Sequence, residues 1–175
     1  MKLIIASDIH GNLEYTEKLL QYCELKNPDK ILLLGDYLNN YYRPDFFSEN
    51  EVVNLLNRWS PLIEGVRGNT DSDNDLARLH FPIHDEYIEY NIDGLNFYLT
   101  HGHLNTRYNH LFSDHYCLMG HTHEYDLTGK HLNPGSVGLP RNNKEHTCFF
   151  YENKTFYLIN LDNFKIITKI VINNQ

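Results

Sequence analysis

The stretch Leu3-Ile4-Ile5-Ala6-Ser7-Asp8-Ile9-His10 decides how the chain is read. Four apolar residues make a short run read as a strand, and the run soon ends in a carboxylate and an imidazole. The pattern recurs. Ile31–Leu34 leads into Gly35-Asp36, and Leu62–Val66 into Arg67-Gly68-Asn69-Thr70-Asp71. Asn96–Thr100 leads into His101-Gly102-His103, and Cys117-Leu118-Met119, within a strand read as Tyr116–Gly120, into Gly120-His121-Thr122-His123. In an open α/β sheet, ligands bind beyond the carboxyl ends of the strands, so these distant residues are expected at one rim. Gly35, Gly68, Gly102 and Gly120 stand where the chain must turn sharply, which predicts positive φ there.

Between the runs lie helical patterns. A helix is expected from Asn12, as N-cap, to Leu25, with Tyr15, Leu19, Leu20 and Cys23 near one face. A second is expected over Glu49–Trp59, ended by Pro61. Strands alternating with helices imply βαβ units. The second half is strand-rich. A hairpin is read around Asp93-Gly94, and three further strands fall within His146–Tyr151, Thr155–Asn160 and Phe164–Ile172. The expectation is an α/β core with a second, mostly antiparallel sheet behind it.

The 175 residues suggest one domain spanning 1–175. Three cysteines, Cys23, Cys117 and Cys148, without a C-x-x-C spacing argue against a disulfide framework or zinc finger and suit a reducing compartment. No run approaches the ~20 apolar residues of a membrane span and no signal peptide is evident, so the expected location is cytoplasmic, with no membrane partner. A net charge of -8 argues against a surface for long nucleic acid, although bound metal can make one site locally positive.

The candidate donors comprise two carboxylates, imidazoles and one carboxamide, without a thiolate. That mixture suits Mn²⁺, Fe²⁺, Zn²⁺, Co²⁺ or Ni²⁺ better than Ca²⁺. In order, D-x-H, G-D, G-N-x-D, H-G-H, G-H-x-H and Asn133-Pro134-Gly135-Ser136 resemble the calcineurin-like metallophosphoesterases. Chain length, the Tyr-rich loop after Asp36 and the phrase Arg67-Gly68-Asn69 resemble the small bacterial YfcE-type branch. The resemblance implies a four-layer αββα sandwich, two packed mixed β-sheets flanked by helices. It implies two divalent transition metals, Mn²⁺ foremost. Asp8, His10 and His123 would hold one, and Asn69, His101 and His121 the other, with Asp36 bridging. Asp71 and His103 would orient ligands or meet the substrate. The implied chemistry is hydrolysis of a small phosphodiester by in-line attack of a metal-bridging hydroxide. Thr70 stands where many members carry a His that assists the leaving group, so another group, such as His103, would have to do so.

Some residues stay open between two readings. Tyr37, Tyr41, Tyr42, Arg43, Phe46 and Phe47 could wall the substrate or pack on their own loop. Arg67 and Arg141 could meet phosphate or simply lie on a solvated face. Alternatives to the phosphodiesterase are a metal-free binding scaffold of the same fold, a phosphomonoesterase and a nuclease. A homo-oligomer is compatible with all of these.

Overall fold

The computed structural model of the chain describes residues 1–39, 45, 47–104, 114–142 and 144–172. The apolar runs become strands of two sheets. The elements run β1 (Lys2–Ala6), α1 (Leu13–Lys26), β2 (Lys30–Leu33), α2 (Glu49–Arg58), β3 (Ile63–Val66), α3 (Asp73–Leu76) and β4 (Ile83–His84). There follow β5 (Tyr87–Ile92), β6 (Leu95–Thr100), β7 (Tyr116–Met119), β8 (Tyr125–Asp126), β9 (His131–Pro134), β10 (Thr147–Glu152), β11 (Thr155–Asn160) and β12 (Ile166–Val171). The first sheet has the order β12-β11-β10-β1-β2-β3-β4 and the second β5-β6-β7-β9-β8.

Strand β1 shows why its run is continuous. Leu3 and Ile5 enter the core between the sheets, while Ile4 and Ala6 face the helix layer. Helices α1 and α2 supply Leu19, Tyr22, Cys23, Val52, Val53 and Leu56 to that outer core. Asn12 caps α1 by accepting from the Tyr15 amide at 3.2 Å, and Asn27 ends the helix in a left-handed turn. Phe97, Leu99 and Leu118 from the second sheet meet Phe149, Phe156 and Leu158 from the first.

The architecture is the expected α/β sandwich of two mixed sheets, with one correction. The second sheet is not mostly antiparallel: β6–β7 and β7–β9 are parallel, and only its outer pairs are antiparallel. The C-terminal strands instead extend the first sheet, because β10 pairs antiparallel with β1. The described helices lie on the first sheet's side, and among the described residues none covers the second sheet. Among the described residues no helix is long and apolar enough to cross a membrane. Cys23, Cys117 and Cys148 are buried thiols that form no disulfide.

The positions of the parallel strands matter most for the site. The carboxyl ends of β1, β2 and β3 in one sheet, and of β6 and β7 in the other, open on the same rim. Backbone bonds continue past the strands and lock the loops together: Asp8 N–H to Gly35 O at 3.1 Å, His10 N–H to Asp36 O at 3.0 Å, Gly120 N–H to His101 O at 2.9 Å.

At the sheet edge, Glu64 accepts from Lys30 Nζ at 2.6 Å and meets His84 Nε2 at 3.1 Å, with the Tyr90 hydroxyl of the second sheet at 3.4 Å. Burial works to raise the Glu64 carboxyl, but Lys30 and His84 outweigh it and hold it below its ordinary value. A depressed carboxyl stabilises the fold above the unfolded pKa, and that contribution is lost as pH falls through the folded value. Glu64→Gln is therefore expected to cost on the order of 1 kcal/mol at pH 7 after solvent screening. In urea unfolding the gap between variant and parent should close at pH 3.

Candidate metal centre

Five loops build the site, and their backbone is strained where they do so. Asp8, His10, Asp36, His121 and His123 all have φ between 50° and 69°, the left-handed region that non-glycine residues rarely occupy. Such strain clusters at functional sites, held by the surrounding structure. The glycines divide the work. Gly35 and Gly102 take positive φ as expected, but Gly68 and Gly120 do not. Those two are needed for close approach: a Cβ on Gly68 would strike the Asp36 carboxylate, and one on Gly120 would strike Ser7 and Asp8.

Asp8, His10, Asp36 and His123 are all buried, and each offers one donor atom within 4.8 Å of the others. His10 Nε2 lies 3.3 Å from His123 Nε2, 3.8 Å from Asp8 Oδ1 and 3.5 Å from Asp36 Oδ2. Asp8 Oδ1 lies 3.3 Å from His123 Nε2 and has no hydrogen-bond partner. On the other side of Asp36, Oδ2 is 3.4 Å from His101 Nε2, which is 3.0 Å from Asn69 Oδ1. The His121 ring stands 5.1 Å from that of His101, and its backbone N–H donates to Asp8 Oδ2 at 3.0 Å.

The tautomers follow from what lies behind each ring. His10 Nδ1 faces the Asn39 carbonyl at 2.5 Å, His101 Nδ1 the Leu34 carbonyl at 2.7 Å and His123 Nδ1 the Leu139 carbonyl at 2.6 Å. A carbonyl oxygen only accepts, so Nδ1 carries the proton and Nε2 presents its lone pair to the centre. Two such lone pairs 3.3 Å apart beside an unpartnered carboxylate oxygen repel one another unless a cation lies among them. The donor set therefore fits a metal.

The electrostatics agree. Burial works to raise the Asp8 and Asp36 carboxyls, but the neighbouring imidazoles outweigh it and hold both below their ordinary value, Asp36 well below. Burial opposes charge on His101, yet Asp36, Asp8 and the Leu34 carbonyl lift it to about 9. The neighbourhood thus draws positive charge. Burial pushes His123 and His121 down.

Of the seven expected metal residues, Asp8, His10, Asp36 and His123 share one donor cluster, His101 and Asn69 adjoin the far side of Asp36, and the His121 ring stands beside that of His101. His103 is exposed, its ring 5.4 Å from that of His101 and 6.2 Å from that of His121. Burial, with His101 and His121 adding to it, keeps His103 below its ordinary pKa. Asp71 lies beneath the rim. Its oxygens accept the backbone N–H groups of Asp36, Tyr37 and Gly68, each at 2.8 Å. Tyr37 is fully buried in the helix-side core, its hydroxyl donating to Val66 O at 2.7 Å, so it walls no substrate. Phe47 is partly buried and forms an isolated bridge with Asn12. Tyr41, Tyr42, Arg43 and Phe46 lie outside the described residues.

Several supporting groups carry no chemistry that the sequence displays. Ser136 Oγ donates to Asp8 O and accepts from Leu139 N–H, both at 2.8 Å. Asn133 Nδ2 donates to Gly120 O at 2.8 Å and to Thr122 Oγ1 at 3.1 Å. The Asn133–Ser136 stretch, more than a tight turn, ends β9 and props two of the site loops. Its signal in the sequence is the motif itself.

Residues 1–155 match the calcineurin-like phosphoesterase superfamily domain. The chain belongs to that superfamily. This calcineurin-like chain is 34% identical to phosphodiesterase YfcE of Escherichia coli, over 99% of each chain. The solved structure of that E. coli phosphoesterase superposes with a TM-score of 0.86 at 32% identity, covering 99% of this chain and all of the other. A probable metallophosphoesterase of Mycoplasma pneumoniae is 26% identical, over 81% of this chain and 82% of its own.

Because a Cβ on residue 68 would displace the Asp36 carboxylate, Gly68→Ala should bind metal at least about tenfold more weakly while remaining folded. Metal content after dialysis, read beside the unfolding transition, checks this: retention at the parent level would contradict it.

Proposed function

We propose that this metallophosphoesterase is a dinuclear phosphodiesterase acting on small phosphodiesters. The observation that carries the reading is the convergence of three imidazole Nε2 atoms and the carboxylates of Asp8 and Asp36 at one rim, with Asn69 and His121 beside them. Asp8, His10 and His123 would hold one divalent cation, and Asn69, His101 and His121 the other, with Asp36 shared. Mn²⁺ is the first choice, with Fe²⁺, Zn²⁺, Ni²⁺ and Co²⁺ as the other ions suited to these donors. When bound, such ions supply Lewis acidity toward phosphoryl oxygens and hydroxide at neutral pH.

The chain's own groups set the stage. Thr70 N–H holds Asp36 Oδ1 at 2.9 Å, which leaves Oδ2 turned to His10 and His101. Asp71 is a positioning residue: its bonds to three amides fix the loop that carries Asp36. Exposed His103, neutral at neutral pH, can offer a ring N–H to a phosphoryl or leaving oxygen. Thr70 has no comparable proton to give, which favours esters with good leaving groups such as aryl esters. The net charge of -8 favours small substrates over long nucleic acid. Buried cysteines outside any disulfide agree with a reducing, cytoplasmic setting. The reading takes residues 1–175 as one catalytic domain and is compatible with a homo-oligomer.

A metal-free scaffold has no use for the buried, unpartnered Asp8 Oδ1. The test is a screen of aryl phosphodiesters, cyclic nucleotides, monoesters and DNA with each divalent metal. Diester hydrolysis should lead, depend on added Mn²⁺ and stop with chelator. Asp36→Ala should lower it by about 10³-fold or more. Monoester turnover exceeding diester turnover, or an active Asp36→Ala, would overturn the reading.

A further inference from the structure

Two arginines lie near the rim, and the structure separates them. Arg67 is committed to its own loop. Its Nε donates to Asp71 O at 3.1 Å, Nη2 pairs with Asp73 at 2.8 Å and Nη1 lies 3.8 Å from Asp85. Arg141 is different. It is exposed, and no ion pair or side-chain hydrogen bond of its guanidinium occurs among the described residues. Its backbone N–H approaches His123 O at 3.4 Å, and Leu139, two residues earlier, orients the His123 ring through its carbonyl. The Arg141 charge is felt at that ring, where it disfavours the imidazolium.

Glu124, just before β8, and Glu145, on the same loop as Arg141, have other partners. Glu124 accepts from Asn142 Nδ2, and Glu145 accepts from the Tyr125 hydroxyl at 3.4 Å. The loop is anchored from below by Ser136 and by Gly138, whose N–H donates to Asp8 O at 2.9 Å and whose carbonyl accepts from Asn12 Nδ2 at 3.0 Å. The chain is acidic overall, yet one guanidinium, unpaired among the described residues, extends from a loop whose backbone is joined to that of His123. A guanidinium is planar and recognises carboxylate and phosphate bidentately.

We propose that Arg141 is a second anion-recognition point beside the metal centre, selecting phosphodiesters that carry a further anionic group on one ester arm. The inference rests on the phosphodiesterase reading above. It assigns substrate selection to the loop after β9, whereas the reacting phosphoryl group is held by the residues of the rim.

The test separates binding of one anion from binding of two. Calorimetric titration of the Mn²⁺-loaded protein with inorganic phosphate and with pyrophosphate gives two affinities. Arg141→Gln should weaken pyrophosphate by about fivefold to tenfold and phosphate by less than about twofold. Arg141→Lys should recover part of the loss, since the charge remains without the fork. Lys169→Gln, which removes a cation on β12, should change neither. In turnover, KM should rise for an aryl diester bearing a carboxylate on its leaving group and stay level for the uncharged parent ester, with kcat little altered in both. Equal losses for phosphate and pyrophosphate, or none, would overturn the proposal. A wild-type protein that binds neither anion and hydrolyses no diester with any divalent metal would remove the functional reading, and this inference with it.

Discussion

Three backbone carbonyls, those of Leu34, Asn39 and Leu139, set the direction of three ring nitrogens, and the site depends on that constraint. Each accepts from Nδ1 and so turns a lone pair on Nε2 inward. Without them, His10, His101 and His123 could present either nitrogen, and their convergence with Asp8 and Asp36 would not define a cation site. The carbonyls belong to loops that leave β2 and β9, so the fold itself is the second layer of support. The left-handed φ values of Asp8, His10, Asp36, His121 and His123 have the same origin. Each costs on the order of 1 kcal/mol, offset by the packing of two cores around the rim.

The two cores explain why the rim is rigid enough to hold that strain. Strand β1 lies between β10 and β2 and is buried on both faces. Asp8 follows from it directly, and is clamped by Ser136 Oγ and Gly138 N–H at its carbonyl and by His121 N–H at its carboxylate. The carboxylate of Asp71, which never reaches the rim, does the same for Asp36. Positive charge is drawn to this point although the surface is acidic. Arg141 stands at its margin, paired with no described carboxylate.

Much of this was readable in the residue order. The βαβ half, the capped helix after Asn12 and the donor-bearing strand ends were legible there, while the division of those donors between two cations was what the family resemblance implied. What was not readable is non-local. Nothing in Thr147–Glu152 announces that it pairs with β1 rather than with the second sheet, since alternation fixes a strand's faces and not its neighbour. Backbone carbonyls have no residue identity, so Leu34, Asn39 and Leu139 gave no sign of their role. Gly68 and Gly120 look like turn glycines, and only the folded chain shows that they make room for Asp36 and Asp8. Tyr37 shares a loop with other aromatics, yet its hydroxyl finds the Val66 carbonyl inside the core.

The central claim is that Asp36 lies between two cations held by directed imidazoles. Anomalous diffraction from crystals of the Mn²⁺-loaded protein tests it most directly. Two peaks about 3.5–4 Å apart are expected, one flanked by Asp8, His10 and His123, the other by Asn69, His101 and His121, with the Asp36 carboxylate touching both. A single peak away from Asp36, or none at saturating metal, would contradict the account.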